Sequence, residues 1–178
     1  MKATGIVRRI DDLGRVMIPQ EIRRTLRIRE GDPLEIFVED GCVIYKKYSV
    51  VKVLGDFAKS YIDSLYQITG IPCIVTDMDN VICVAGLHQK DYLNKEINSF
   101  LRDKIDNRDI FQNNQGSITI FENQLKAFES VSICPIISEG DVIGSIIFAS
   151  FDNSIAMDKT ESKLLQTAAL FLGKQNEL

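Results

Sequence analysis

The sequence is poor in the residues that most often form catalytic and metal centres. It has no tryptophan and one histidine, His88, and its four cysteines, Cys42, Cys73, Cys83 and Cys134, stand far apart without a Cys-x-x-Cys pair. A metal site needs several such ligands at short spacing, and a disulfide framework needs paired cysteines in a small secreted chain. We therefore expect no metal site, no cofactor, and reduced thiols that are mostly buried.

Long apolar stretches are missing as well. No segment approaches the roughly 18 consecutive apolar residues of a membrane-spanning helix, and the opening MKATGIVRRIDD lacks the apolar core of a secretory signal. A glycine-rich phosphate loop of the Walker or dinucleotide type is also absent from the sequence. We therefore expect a cytoplasmic protein without a membrane partner.

The charge of the chain is unevenly distributed. Its formal net charge is −4, yet residues 1–29 contain eight Lys or Arg and three Asp or Glu, a net charge of +5. Such asymmetry is typical of a protein of which one end meets a polyanion while the remainder keeps it soluble. Charge alone leaves open a basic face that is merely solvated.

The first 48 residues contain the signals of two hairpins and one short helix. Alternating apolar residues flank an Asp-Leu-Gly turn and later a Glu-Asp-Gly turn, as in hairpins. Pro19 suits the first turn of a helix, because its missing N–H has no intrahelical acceptor there. The predicted elements are strands over 4–11 and 15–18, a helix over 19–26, and strands over 34–38 and 42–47.

So small a unit cannot bury much apolar surface by itself. Domains of this size are marginal unless a metal, a disulfide or a second subunit supplements the core. Because the composition argues against the first two, we expect an intertwined dimer in which a second copy covers the apolar strand residues. These residues are Ile6, Val7, Ile10, Val16, Ile18, Leu34, Ile36, Val38, Val43 and Ile44.

The ordered run IDDLGRVMIPQEIRRTLRIREGDPLEI, within a longer likeness from Thr4 to Lys47, resembles the AbrB-type swapped-hairpin DNA-binding domain. Members of that family dimerise by exchanging hairpins and present arginines from the first hairpin and the short helix to DNA. The resemblance therefore implies a swapped-hairpin β-barrel dimer whose partner is double-stranded DNA. The matching arginines are Arg8, Arg15, Arg23 and Arg24, with Arg9 and Arg27 as second-rank candidates.

Guanidinium groups suit this role because their planar fork bonds a phosphate, or the O6 and N7 atoms of guanine, through two hydrogen bonds at once. An alternative stays open for the same residues. The arginines could instead form surface ion pairs with the nearby acids Asp11, Asp12, Glu21 and Glu30.

The rest of the chain predicts a second domain of mixed helices and strands. Asp158 and Glu161 have the spacing of a capping box at the start of the last helix. The predicted order is a helix over 50–68, strands over 71–76 and 81–85, a helix over 91–105, strands over 117–121, 131–137 and 142–150, and a helix over 158–175. This order resembles a GAF domain, a sensory fold with an antiparallel sheet and flanking helices. We therefore expect an α+β protein of two domains, 1–50 and 51–178.

The first and last helices of the second domain have broad apolar stripes, which favour packing against a further subunit. The whole chain also resembles a family of sporulation regulators that act positively and negatively and assemble as tetramers through both domains. The resemblance implies a non-enzymatic transcription regulator of sporulation genes, dimeric through the first domain and tetrameric through the C-terminal helices. It leaves the ligand of the GAF-like domain unidentified.

Two other functions stay open from the sequence. Swapped-hairpin domains also occur in antitoxins, which wrap a toxin with a disordered tail, although here the C-terminal half has the periodicity of a folded domain. One GAF branch reduces free methionine sulfoxide with cysteines, and Cys73, Cys83 and Cys134 fall in predicted strands. Small buried thiols are the simpler interpretation. Asp77 and Asp79 flank a predicted turn and have no evident basic partner for acid–base chemistry.

Overall fold

The computed structural model describes residues 4–175, which divide into two compact units with a boundary between Tyr48 and Ser49. Within the described residues, no helix combines the length and the apolar character that crossing a membrane requires.

The first unit contains one helix and one antiparallel hairpin. The helix α1 spans Gln20–Thr25, and the strands are β1, Leu34–Glu39, and β2, Cys42–Lys47. Leu34 pairs with Lys47 at one end of the hairpin and Glu39 with Cys42 at the other. The connecting residues Asp40 and Gly41 both have positive φ angles, as a tight two-residue hairpin turn requires. The second predicted hairpin and the short helix are thus present.

The first predicted hairpin is not a ladder within the chain. Among residues 4–18 the backbone bonds are those of a turn, from the Asp11 amide to the Arg15 carbonyl at 3.1 Å and from the Gly14 amide to the Asp11 carbonyl at 3.1 Å. Gly14 has a φ of +76°, which permits this turn. The prediction of strands over 4–11 and 15–18 was therefore wrong for a single chain. The physical reason is that β1 and β2 pair only with each other, which leaves the segment without a ladder neighbour in its own chain.

The first unit has almost no interior of its own. Pro19 is the one buried residue among the described residues of this unit. Twelve large hydrophobic side chains are exposed, which a stable isolated unit of this size does not tolerate. They are Ile6, Val7, Ile10, Leu13, Val16, Met17, Leu26, Ile36, Phe37, Val38, Val43 and Tyr45.

The second unit is built on a five-stranded antiparallel sheet in the order β4-β3-β7-β6-β5. In chain order its elements are α2 Val50–Val53, α3 Gly55–Thr69, β3 Cys73–Thr76, β4 Val81–Ala85, α4 Gln89–Tyr92, α5 Ser99–Asp106, β5 Phe111–Asn113, β6 Ser130–Ser138, β7 Asp141–Ser150 and α6 Lys159–Lys174. The order of helices and strands agrees with the GAF-like expectation.

The central strands are covered on both faces, so their sequences are almost continuously apolar. One face packs against α3 and α6 through residues such as Ile62, Leu165 and Leu172, all buried. The other packs against α5 and the chain between β5 and β6, with Leu101 and Phe128 at its centre. The result is a three-layer unit with two hydrophobic clusters.

Three predicted elements of this unit differ from the structure. The helix predicted over 50–68 ends and restarts at Leu54, which closes α2 and precedes α3. The helix predicted over 91–105 becomes α4 and α5, because Asn94 has a φ of +61° and Asn98 caps α5 by accepting from the Leu101 amide at 3.0 Å. The strand predicted over 117–121 makes only isolated bridges, and β5 takes the sheet edge instead.

Candidate nucleic-acid interface

The first two candidate arginines lie in the extended segment that precedes the Asp11–Gly14 turn. The side chains of Arg8 and Arg9 are exposed, and Arg8 donates from Nη1 to the neighbouring Val7 carbonyl at 3.2 Å. The apolar Val7 is 84 % exposed. The segment thus presents guanidinium groups beside apolar side chains that still need a covering surface.

Arg15 follows the turn and is tied to Asp11. Its amide donates to Asp11 Oδ1 at 2.7 Å, and its Nε donates to Asp11 Oδ2 at 2.8 Å. These two bonds hold the pKa of the Asp11 carboxyl below its ordinary value. The Arg15 side chain is nevertheless 72 % exposed, so its outer nitrogens remain accessible to solvent. A surface pair of this kind is weak and can be exchanged for another anion.

Arg23 and Arg24 lie in the last turn of α1. The helix begins after the buried Pro19, has Glu21 in its first turn, and contains no buried residue. Because Ile22 is the half-buried side chain of this stretch, the two arginines that follow it point to the exposed side of the helix. Neither arginine forms an ion pair within the described part of the chain, so the ion-pair alternative is realised at Arg15 and not at this pair.

Arg27 occupies a backbone position that usually belongs to glycine. The helix ends in a Schellman motif, in which the Ile28 amide donates to the Arg23 carbonyl at 2.8 Å and the Arg27 amide to the Arg24 carbonyl at 3.3 Å. Arg27 sits at the left-handed residue of this motif with a φ of +54°. Its side chain is exposed.

Lys47 is a supporting residue that the sequence analysis did not single out. Its Nζ donates to the Arg27 carbonyl at 3.1 Å and lies 3.1 Å from Asp32 Oδ2. The last residue of β2 thus ties the segment after α1 to the hairpin. A lysine at a strand end carries no distinguishing sequence signal, so only the structure shows this role.

The six arginines therefore fall into two groups. Arg8, Arg9 and Arg15 surround the first turn, and Arg23, Arg24 and Arg27 occupy the C-terminal end of α1; all six are exposed. The same unit displays the apolar side chains that a second copy would cover.

The second unit shows no chemistry of a redox or metal site in its described part. Burial raises the pKa of the Cys83 thiol to about 12 and that of the Cys134 thiol to about 11, and it also raises the pKa of the Cys73 thiol. A thiol acts as a nucleophile in its thiolate form, which these environments disfavour. Among the described residues, no group of three or more His, Cys, Asp or Glu could hold a metal ion.

Asp77 and Asp79 serve the turn between β3 and β4. Asp77 Oδ1 accepts the amides of Asp79 and Asn80 at 2.8 and 2.7 Å, and Asp79 forms an ion pair with Arg102 at 3.1 Å. The sequence shows no evident basic partner for these acids, and the structure supplies one for Asp79, because α5 brings Arg102 to it across the fold. The arrangement remains that of a hydrogen-bonded turn.

Comparison with known proteins agrees with the division of the chain into two units. Residues 53–177 match the family described as "Stage V sporulation protein T C-terminal, transcription factor". Residues 7–50 match the family described as "Antidote-toxin recognition MazE, bacterial antitoxin". The chain is 50 % identical to stage V sporulation protein T of Bacillus subtilis over 179 residues, which cover 99 % of each chain.

Each unit also has relatives of its own. The transition state regulatory protein AbrB of Bacillus subtilis is 65 % identical over 48 residues, which cover 27 % of this chain and 50 % of that protein. The solution structure of its N-terminal DNA recognition domain is 63 % identical, covers 28 % of this chain and 92 % of that one, and has a TM-score of 0.25.

The second unit is similar in fold to a GAF domain from an Acinetobacter phosphoenolpyruvate-protein phosphotransferase. That domain is 10 % identical, covers 70 % of this chain and 82 % of the other, and has a TM-score of 0.57. The resemblance to an AbrB-type domain followed by a GAF-like domain is confirmed, and the antitoxin alternative is not favoured, because the likeness to the sporulation protein extends over both units. The chain belongs to the stage V sporulation protein T family of transcription factors, and it is a DNA-binding regulator and not an enzyme.

Proposed function

We propose that the protein regulates sporulation genes through DNA contacts made by Arg8, Arg15, Arg23 and Arg24, with Arg9 and Arg27 in supporting positions. The observation that carries the proposal is the exposure of all six guanidinium groups on a unit that has a net positive N-terminal segment. A second copy that covers the apolar strand residues would place two such sets on one surface. This explains why DNA recognition and dimerisation would be inseparable.

The contacts divide by chemistry. A guanidinium that bonds only phosphate orients the protein on the duplex, whereas one that reaches a base edge reads the sequence. Arg15 already forms a two-point contact with Asp11, so it would exchange a carboxylate for a phosphate or a guanine edge. If four arginines per chain of a dimer all contacted phosphates, the log–log salt slope would be at most about −7. Each arginine that contacts a base instead of a phosphate would make the salt dependence less steep.

Alanine substitutions test the assignment. Arg15→Ala or Arg24→Ala is expected to weaken binding to a footprinted operator by about 1 to 3 kcal/mol, roughly 5- to 150-fold, if the residue reads a base. Arg29→Ala is the matched control, because it removes the same charge from the same unit outside the proposed contacts. Full affinity of a folded Arg15/Arg24 double alanine variant would refute the site.

We also propose a tetramer formed through the C-terminal helices. The outer surfaces of α3 and α6 expose several large apolar side chains, among them Ile68 at 85 % and Leu170 at 60 %. Three aromatic rings also meet between these helices. The ring centroid of Phe171 lies 5.6 Å from that of Phe57 and 5.3 Å from that of Tyr61. A further copy would remove these surfaces from water and join two DNA-binding dimers.

We also propose that the protein acts on DNA in the cytoplasm and that its second unit senses a small molecule. The GAF-like fold supports this role. The face under α5 is filled by Phe121 and Phe128, which are almost fully buried, and by Tyr92 and Phe151 around them. A ligand on this face would therefore have to displace these rings. Ligand-dependent protection of residues 92–128 from hydrogen exchange would support the proposal, and its absence across a metabolite panel would count against it.

A further inference from the structure

The turn between β3 and β4 is bonded to chain segments on both sides of it. The Asp77 carboxylate uses both oxygens: Oδ1 accepts the amides of Asp79 and Asn80, and Oδ2 accepts the hydroxyl of Ser49 at 2.9 Å. The first set of bonds fixes the turn, and the last attaches it to the beginning of the second unit.

Ser49 is the first residue of that unit and the N-cap of α2. Its Oγ accepts the Lys52 amide at 3.2 Å while donating to Asp77. One hydroxyl therefore satisfies an orphan amide of α2 and ties the helix to the turn. Val51, which is 3 % exposed, anchors the other side of α2 in the core. The chain leaves the DNA-binding unit through this capped helix.

On the opposite side, the turn is held by Arg102 of α5. Arg102 donates from Nη1 to the Met78 carbonyl at 2.8 Å and from Nη2 to Asp79 Oδ1 at 3.1 Å. The Arg102 and Asp79 side chains are only 21 % and 12 % exposed. Because the pair is largely removed from water, it is screened less than a surface pair. Two bonds from one guanidinium thus join the turn to α5.

The floor of the turn is firm. A Cβ on Gly144 of β7 would overlap the Thr76 carbonyl oxygen and would lie 3.0 Å from Asp77 Cα, so the two backbones are in direct contact. Thr76 Oγ1 and Ser145 Oγ, both buried, are joined at 2.7 Å beside this contact. The backbone of the turn therefore has little room to shift at this contact.

We propose that four residues form a latch, a series of hydrogen bonds that couples α5 to the N-cap of α2. They are Ser49, Asp77, Asp79 and Arg102. A movement of α5 displaces Arg102, loosens the turn, and weakens the Ser49–Asp77 bond at the point where the chain leaves the DNA-binding unit. The latch rests on contacts within the second unit and does not depend on the proposed DNA contacts. The competing interpretation is two independent structural contacts that share a turn.

Hydrogen exchange of the full-length protein distinguishes the two. Arg102→Gln is expected to speed exchange of the α2 amides by about threefold or more, although Arg102 does not bond α2. Lys104→Gln is the matched control, because Lys104 lies on the same helix and pairs with Asp109 at 3.2 Å, away from the turn. It is expected to leave α2 unchanged.

Coupling is reciprocal, so the converse experiment has an equally definite outcome. Ser49→Ala is expected to speed exchange at Asp79, at Asn80 and in α5, whereas Ser60→Ala, which removes a hydroxyl bonded only to the Asp56 carbonyl of α3, leaves them unchanged. If Arg102→Gln does not fold, Arg102→Lys keeps the charge but loses the two-point contact, and it is expected to act in the same direction. Unchanged α2 exchange in the folded Arg102 variant, or unchanged α5 exchange in Ser49→Ala, would overturn the latch. Operator affinity plays no part, so failure of the latch is distinguishable from failure of the DNA contacts.

Discussion

At the scale of single residues, Arg27 occupies a backbone position that glycine usually fills. A non-glycine residue in the left-handed region is disfavoured by contact between its Cβ and the backbone, and glycine is the usual residue at this position of a Schellman motif. Arg27 has a φ of +54° there. We therefore expect glycine at this position to relieve strain while removing an exposed guanidinium.

Two substitutions at this position separate stability from binding. Arg27→Gly is expected to stabilise the protein by about 1 kcal/mol at fixed protein concentration, because the strain is relieved. Arg27→Ala keeps the strain, so no gain in stability is expected. Both variants lose the guanidinium and should bind operator DNA several-fold more weakly. Denaturant titration measures the change in stability, and filter binding measures the change in DNA affinity. Unchanged DNA affinity in both would remove Arg27 from the contact set.

The buried thiols make a second prediction at this scale, and its sign follows from their raised pKa values. The folded-state pKa of Cys83 lies at about 12 and that of Cys134 at about 11, above the ordinary 9.0. The neutral thiol therefore stabilises the fold, fully so below about pH 9, and this contribution is lost as the pH rises from there towards 11 and 12.

The free energy of unfolding should accordingly fall between about pH 9 and 11, and the fall should be shallower in Cys83→Ala. In the native protein at pH 8, Cys73, Cys83 and Cys134 should react slowly with a thiol reagent. Rapid labelling of any of these three would reopen the redox alternative.

At the scale of elements, α6 depends on one close approach. A Cβ on Gly173 would overlap the carbonyl oxygen of Ile137 in β6, next to the register shift between Ile136 and Ile137. Gly173→Ala is therefore expected to cost about 1 to 3 kcal/mol in chemical denaturation, because helix or strand must shift. At Gly55 in α3 the nearest atom is Ile82 Cγ2 at 3.9 Å. Gly55→Ala should be neutral or stabilising by up to about 1 kcal/mol, and equal effects of both variants would contradict the close contact.

Elements governed by local chemistry were predictable from the sequence. The Asp158–Glu161 capping box is present, and it fixes the start of α6 through bonds from the Thr160 amide to Asp158 and from the Asp158 amide to Glu161. The hairpin of β1 and β2 follows from its Asp-Gly turn. In both cases the interacting groups are close in sequence, so a pattern of a few residues contains the determinant.

Elements governed by tertiary packing were not predictable from the sequence. The apolar spacing of residues 91–105 fits a single helix, but Leu93 to Asn98 leaves it, with Ile97 buried and bridged to Phe121. Likewise, residues 117–121 alternate like a strand, but Ile118 bridges Phe128 and not the sheet. The partners in these pairs lie ten or more residues apart, which periodicity cannot reveal. The candidate arginines were predictable from the family motif, whereas Lys47 and Arg102 were not.

At the scale of the whole molecule, the two units have different requirements for burial. The second unit has two hydrophobic clusters of its own. In the first, Pro19 is the one buried residue in the part that the structure describes. We therefore expect association to be part of folding for the first unit, whereas for the second it would join units that are already folded.

This difference predicts two separable association steps, which sizing by analytical ultracentrifugation checks. The full-length protein is expected to be a tetramer and a fragment of residues 1–53 a dimer, because the fragment keeps the apolar strand residues that a second copy would cover and loses α3 and α6. Leu170→Glu in the full-length chain places a charge on the exposed apolar surface of α6 and should give dimers that still bind DNA. Ile110→Glu is the matched control, since Ile110 is 52 % exposed and lies on neither helix, and it should remain tetrameric. A Leu170→Glu variant that stays tetrameric would place the second interface elsewhere, and a monomeric, folded fragment would contradict the need of the first unit for a second copy.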